Sequence, residues 1–300
     1  MSATVLHAFP GFEAEAGKLA AATGLPLREI AVHIFPDGES RVKVQPGTGT
    51  AILFASLDHP DSKLVPLILA ASALRDGGAG RVVLVCPYLC YMRQDMAFTP
   101  GEAVSQRVVG GLLAQYFDRI ITVDPHLHRI SALSDVMPGV EADALSAAAL
   151  IGDIIAADPA LAGAILIGPD SESRQWVSVA AARAGSPFLV AAKVRHGDRD
   201  VQVSLPNADE ATGRPAVIID DLISSGTTIC RAAEILTEAG ASRVEAIAVH
   251  VLASQPALDA MVEAGVARVR SSSSIAHPTN AFSLTPLFAA ALEKELHDGH

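Results

Sequence analysis

One stretch constrains the chain more than any other: Ala216-Val217-Ile218-Ile219-Asp220-Asp221-Leu222-Ile223-Ser224-Ser225-Gly226-Thr227-Thr228-Ile229. Its apolar, β-branched opening reads as a buried strand that ends abruptly in two adjacent carboxylates. A loop of small residues follows, and Cys230-Arg231-Ala232-Ala233-Glu234-Ile235-Leu236 then reads as a helix. Strand, tight loop and helix N-terminus together form an anion site. The first-turn N–H groups have no intrahelical partner, and the positive end of the helix dipole points into the loop. Gly226 permits positive φ or close backbone approach, while the Ser and Thr hydroxyls add donors without bulk. Asp220 and Asp221 cannot serve the same anion, because like charges repel. They suit sugar hydroxyls, or a metal accompanying the substrate. A phosphorylated sugar satisfies both halves. The competing reading, an aspartate that only caps the next helix, leaves the attached Ser-Ser-Gly-Thr-Thr loop unexplained.

Length and composition narrow the setting. Three hundred residues make one large domain or two ordinary ones, and half of them are apolar. The apolar set is Ala, Val, Leu and Ile with few aromatics, which suits parallel strands covered by helices. A net charge of −11 excludes a general nucleic-acid or membrane-surface binder. Cys86, Cys90 and Cys230 are too few and too scattered for a disulfide framework or a zinc site. With no basic-then-apolar leader and no apolar run of about eighteen residues, the expected location is the cytoplasm.

Strand and helix signals alternate from Met1 to about Asn280, the pattern of an α/β protein with mostly parallel sheets. Ile30 to Phe35 is strand-like, runs into Pro36-Asp37-Gly38-Glu39-Ser40, and resumes at Arg41-Val42-Lys43-Val44. Asp-Gly between two such runs signals a hairpin. Arg81 to Cys86 is a strand. The polar segment after it, from Tyr88 to Glu102, is longer than a connection needs. Arg119 to Val123 is a strand ending in Asp124-Pro125-His126-Leu127-His128, a carboxylate and two histidines placed to hold a metal or its nucleotide. A helix is expected over about Asp143 to Ala157. Ala164 to Ile167 is a strand ending in Gly168-Pro169-Asp170-Ser171-Glu172-Ser173, and Phe188 to Ala192 is another. Lys193-Val194-Arg195-His196-Gly197-Asp198-Arg199-Asp200 is the densest cationic loop of an acidic chain. The two halves look alike, with the boundary expected near residue 147. That gives domains 1–147 and 148–300, and a last helix, Pro286 to Leu296, that could pack back on the first.

With these pieces placed, Asp220 to Thr228 resembles the phosphoribosyl diphosphate (PRPP) binding motif of the type I phosphoribosyltransferase fold. Nearly the whole chain resembles the ribose-phosphate diphosphokinase (PRPP synthetase) family, and its archaeal-type branch more closely. Each domain is then expected to be a phosphoribosyltransferase-like, mostly parallel sheet flanked by helices. The resemblance assigns ATP to the first domain, through the hairpin residues Phe35, Asp37 and Glu39, the segment Arg93-Gln94-Asp95, and His126. It assigns ribose 5-phosphate to the second, through Asp220, Asp221, Ser224, Ser225, Gly226, Thr227 and Thr228. His126 and Asp170 match the family's metal positions for Mg²⁺, and Lys193 and Arg195 match the cations of its catalytic loop. The hairpin would serve a neighbouring subunit, which implies a homo-oligomer.

The implied reaction has the C1 hydroxyl of ribose 5-phosphate attack the β-phosphorus of ATP, giving PRPP and AMP. A diphosphoryl group in flight spreads charge over its oxygens and needs positioning and cations above all. Three departures from the family pattern stand out. Met96 replaces the usual cation after Arg-Gln-Asp, the phosphate loop has Ser224 and Thr227 where many members have an acidic residue and a second glycine, and the catalytic loop is short. Three rivals remain at this stage, one of them a related kinase using another donor or another phosphorylated pentose, which Met96 keeps open. A phosphoribosyltransferase consuming PRPP leaves the 35–39 hairpin and the Arg93 segment without a task. A catalytically silent, regulatory partner would be expected to lose the cations or carboxylates that this chain keeps.

Overall fold

The computed structural model describes residues 4–127, 132–195 and 201–297, with backbone alone at 193–195, 201–203 and 297. The chain divides into two compact units: Met1–Leu145 with Ser283–His300, and Ser146–Phe282. The first unit runs β1 (Val5–Ala8), α1 (Glu13–Thr23), β2 (Leu27–Glu29), β3 (Ala31–Ile34), β4 (Ser40–Lys43), β5 (Gly49–Phe54), α2 (Leu64–Asp76), β6 (Ala79–Cys86), α3 (Ser105–Leu113), β7 (Arg119–Val123) and β8 (Glu141–Leu145). The second runs α4 (Ala148–Ala157), β9 (Ile165–Gly168), α5 (Arg174–Ala184), β10 (Phe188–Val190), β11 (Ala192–Arg195), β12 (Val201–Ser204), β13 (Pro215–Ile223), α6 (Thr227–Glu238), β14 (Arg243–Val251), α7 (Gln255–Glu263), β15 (Val266–Ser272) and β16 (Asn280–Phe282). A last helix, α8 (Thr285–His297), belongs to the first unit.

Among the described residues each unit holds a six-stranded parallel sheet, in the order β2-β1-β5-β6-β7-β8 and β10-β9-β13-β14-β15-β16. The two orders are the same. Each sheet is also interrupted at the same point, between its second and third strands, by an antiparallel hairpin: β3–β4 in one, β11–β12 in the other. The α/β class with two similar, mostly parallel sheets is therefore observed. Central strands such as Val82-Val83-Leu84-Val85 and Ala216-Val217-Ile218-Ile219 are fully buried on both faces, which is why they read as continuous apolar runs.

Three segments depart from the expectations above. Glu141–Leu145 is a strand, so the expected helix starts at Ala148. Local Ala content favours a helix here, but five registered pairs with β7 outweigh that weak preference, and Asp143 is held by Arg119. The expected Phe188–Ala192 strand is β10, and Ala192 already opens β11. Lys193 and Arg195 belong to β11, paired with Val203 and Val201, rather than to a loop. Their side chains, and the segment 196–200, lie outside the described residues, as does His128.

The first unit closes on α8. Phe288 and Leu292 are buried, and the Phe288 ring meets Phe54 edge-on at 6.1 Å. Glu295, also buried, accepts from Arg81 Nε at 3.0 Å and Arg119 Nη1 at 3.2 Å. Arg119, 2% exposed, further donates to Asp143 at 2.8 Å and to the Ala291 carbonyl at 3.0 Å. Removing one partner of a buried ion pair strands the other charge away from water. Glu295→Ala is therefore expected to cost about 3 kcal/mol and to lower the calorimetric melting temperature by roughly 5–10 °C. An unchanged melting temperature would mean that the apolar face of α8 suffices to dock it.

Candidate functional site

In an open parallel sheet the loops beyond the strands' carboxyl ends form a crevice where the strand order reverses. In the second unit that place lies between β9 and β13. The register Ile218↔Ile167 sets Asp220 and Asp221, two and three residues further on, against Pro169 and Asp170 of the β9 loop. Asp221 is buried, and its N–H donates to Asp220 Oδ1 at 3.0 Å. Burial pushes the Asp220 carboxyl well above the usual carboxylate range, and repulsion from Asp221 and Asp170 pushes it further. Three carboxylates thus share one crevice. Hydrogen-bond donors would relieve them, so the site fits a sugar diol; among the described residues no group of three or more His, Cys, Asp or Glu side chains is placed to hold a metal ion by itself.

The β9 loop is compact. Asp170 Oδ1 accepts from the Glu172 and Ser173 amides at 3.1 and 3.2 Å, and Ser173 Oγ donates back to the Asp170 carbonyl at 2.5 Å. A Cβ on Gly168 would stand 2.3 Å from Ser173 Oγ, so only glycine allows the loop to fold this closely. Asp170 does the helix-entry work that a bland reading gives it, and faces Asp220 as well.

Beyond Asp221 the chain turns through Ser224 and Ser225 into α6, whose N-cap is Gly226 at φ +76°. A glycine has no side chain with which to cap the first turn; the Thr227 amide makes a long bond of 3.5 Å to Ser225 Oγ, and the amides that follow point into the loop. Met261, buried behind the loop, would meet a Cβ on Gly226 at 2.8 Å. Ser225 and Thr227 share a hydroxyl hydrogen bond of 3.1 Å at the helix entrance. Helix dipole, open amides and hydroxyls converge where an anion would sit. In the first unit the equivalent place, between β1 and β5, is bridged by Lys63. Its Nζ bonds Asp58 Oδ1 at 2.6 Å and the Ser56 carbonyl at 3.1 Å, 5.0 Å from the Phe12 ring centroid. Among the described residues, the place that holds an anion cradle in the second unit is occupied by a lysine in the first.

The residues expected to serve ATP lie on three segments of the first unit. Arg93, exposed, and Asp95, buried, follow β6, with Gln94 between them; His126 follows β7. β6 and β7 are neighbours, with Cys86 opposite Thr122, so both segments leave the same end of the sheet. Asp124 and His126 adopt φ of +38° and +58°. Left-handed backbone is costly for residues other than glycine and gathers at functional sites. Glu102 folds the Arg93 segment back by accepting from Thr99 Oγ1 at 2.6 Å and the Phe98 amide at 2.7 Å, and these bonds hold its carboxyl below the usual range.

Phe35, Asp37 and Glu39 form the turn between β3 and β4. The Phe35 amide donates to the Glu39 carbonyl at 2.7 Å, and the Glu39 amide to Asp37 Oδ1 at 3.1 Å. His33 and Arg41, which sequence reading passed over, flank the Phe35 ring. Strict alternation along the hairpin was the available signal, since it places all three on one face.

Comparison with known proteins agrees with this geometry. Residues 11–116 match the family model described as the N-terminal domain of ribose phosphate pyrophosphokinase, and residues 147–285 match the phosphoribosyl transferase domain. The chain is 35% identical over 281 residues to a ribose-phosphate pyrophosphokinase of Halobacterium salinarum, covering 92% of this chain and 96% of that one. It is 31% identical over 278 residues to the Methanopyrus kandleri ribose-phosphate pyrophosphokinase, covering 92% and 94%. Among solved structures, the phosphoribosylpyrophosphate synthetase from Mycobacterium smegmatis superposes with a TM-score of 0.84 at 25% identity, covering 99% of this chain and all of that one.

Two outcomes follow from the crevice. Because folding raises the Asp220 pKa, the protonated form is the one folding favours. The stability this lends is present in acid and is lost as pH rises through the raised value. At pH 7 an aspartate at this position is thus a burden that Asn lacks. Asp220→Asn should melt above the parent at pH 7, with the gap closing towards about pH 4, and a lower melting point at pH 7 would contradict it. Gly226→Ala should destabilise by about 1–3 kcal/mol through φ strain, with more from Met261; an unchanged denaturation midpoint would refute that.

Proposed function

The chain belongs to the ribose-phosphate pyrophosphokinase family, and we propose that it transfers the diphosphoryl group of ATP to the C1 hydroxyl of ribose 5-phosphate, giving PRPP and AMP. The observation that carries this reading is the β9–β13 crevice, where mutually repelling carboxylates stand beside an uncapped helix N-terminus. Ribose 5-phosphate answers both features with one molecule. Its ring hydroxyls donate to Asp220 and Asp221, relieving the repulsion, and its phosphate takes the Ser224, Ser225, Gly226, Thr227 and Thr228 cradle.

In the first unit, Phe35, Asp37 and Glu39 would hold the base end of ATP, and Arg93, Gln94, Asp95 and His126 the polyphosphate end. Mg²⁺ bound at His126 of the first unit or at Asp170 of the second would supply charge neutralisation at the phosphate oxygens. Lys193 and Arg195 would meet the negative charge that builds on the diphosphoryl group in the transition state. The hairpin's exposed Phe35 is consistent with service to a neighbouring copy in a homo-oligomer. Among the described residues no helix is long and apolar enough to cross a membrane, consistent with a cytoplasmic location. Lys193, Arg195, His126, Asp170, Asp220 and Asp221, which a silent partner would be free to lose, are all kept in this chain.

Purified protein given ATP, Mg²⁺ and ribose 5-phosphate should form AMP and PRPP in equal amounts, with none formed once Mg²⁺ is chelated. ADP in place of AMP would overturn the proposal in favour of simple phosphoryl transfer. Lys193→Ala should lower kcat by about a hundredfold or more while leaving both KM values nearly unchanged. A large rise in KM with kcat intact would show that Lys193 binds substrate in the ground state instead.

A further inference from the structure

The hairpin has two unlike faces. Val32 stands opposite Val42, and both pack with Val44 against the first unit's core. His33 stands opposite Arg41 on the other face, one residue out of phase. Phe35 joins them there. The His33 and Phe35 ring centroids are 4.9 Å apart at 85°, an edge-on contact, and the Arg41 guanidinium carbon lies 5.9 Å from the Phe35 centroid. The main chain at this corner is also pinned, since the Gly38 amide donates to the Phe35 carbonyl at 2.9 Å. Phe35 nevertheless remains 38% exposed. A large ring left partly in water but braced at its edge and over its face is preorganised for a flat partner, because little rotamer freedom remains to be lost on binding.

We propose that His33 and Arg41 are positioning residues, which hold the Phe35 ring as a stacking platform for the nucleotide base. This deepens the assignment of the hairpin to ATP and rests on it. Neither residue needs to touch the nucleotide. Each acts through the ring, so its contribution exists only while Phe35 is present and only for ligands that carry a base. The alternative chemistry for Arg41, direct contact with phosphate oxygens, makes the opposite forecast for a ligand that is phosphate alone.

The test measures calorimetric affinities of the full-length protein for Mg–ATP and for inorganic tripolyphosphate, without ribose 5-phosphate. The variants are His33→Ala, His33→Tyr, Arg41→Ala, Phe35→Ala and the Phe35→Ala/Arg41→Ala pair. His33→Ala and Arg41→Ala should each weaken ATP about two- to fivefold, the size of an exposed ring or cation–π contact, and leave tripolyphosphate unchanged. His33→Tyr should restore ATP affinity by returning an aromatic edge. In the Phe35→Ala background, Arg41→Ala should cost nothing more. Additive losses in that cycle, or equal losses for tripolyphosphate, overturn the positioning role. Unaltered ATP affinity in Phe35→Ala alone overturns the hairpin assignment beneath it.

Discussion

The site depends on the mutual repulsion of carboxylates that the fold brings together. Asp170, Asp220 and Asp221 are carried into one crevice by two adjacent parallel strands, and the Asp220 carboxyl is left well above its ordinary pKa by burial and by its neighbours. Strand order alone forces this. β9 and β13 are neighbours with opposite onward paths, so their loops part at the strands' carboxyl ends. In the first unit the same gap is bridged by Lys63 paired with Asp58. One sheet order, used twice, thus gives one closed crevice and one that needs a ligand.

Charges elsewhere are treated in the opposite way. Arg119, at the opening of β7, is enclosed by Asp143 and Glu295, and Arg270 of β15 is paired with Asp158 at 3.0 Å and Glu245 at 2.9 Å. These buried cations have carboxylates in reach, as burial demands. The contrast locates function by energetics: cations paired with carboxylates stabilise each unit internally, and carboxylates that repel one another mark where substrate completes the structure. Strained backbone at Asp124 and His126 is a second such mark, on the first unit.

Much of the second unit's site was legible because its signals are local. A strand run, two aspartates and a small-residue loop lie within fourteen consecutive positions, and each has a chemical reading by itself. Convergence with Asp170 was not legible, since it follows from strand order, which no local pattern encodes. The end of β8, from Asp143 to Leu145, reads as helix for the same reason: its residues are a strand only because β7 offers them an edge. β2, three residues long at the sheet margin, leaves too little periodicity to detect. The hairpin was visible from Asp37-Gly38, yet the link between His33, Phe35 and Arg41 required cross-strand register. Lys193 and Arg195 stand out by charge density, and their side chains are outside the described residues.

The claim that sugar hydroxyls complete the carboxylate crevice is tested most directly by titrating Asp220 itself. Protein labelled with ¹³C at the aspartate carboxyl carbon would be followed through pH, with Asp220 identified as the resonance missing from Asp220→Asn. The account predicts that free protein shows Asp220 titrating well above the usual carboxylate range, and that ribose 5-phosphate with Mg²⁺ returns it towards that range. An Asp220 that titrates normally in the free protein, or that is indifferent to the sugar phosphate, would contradict it.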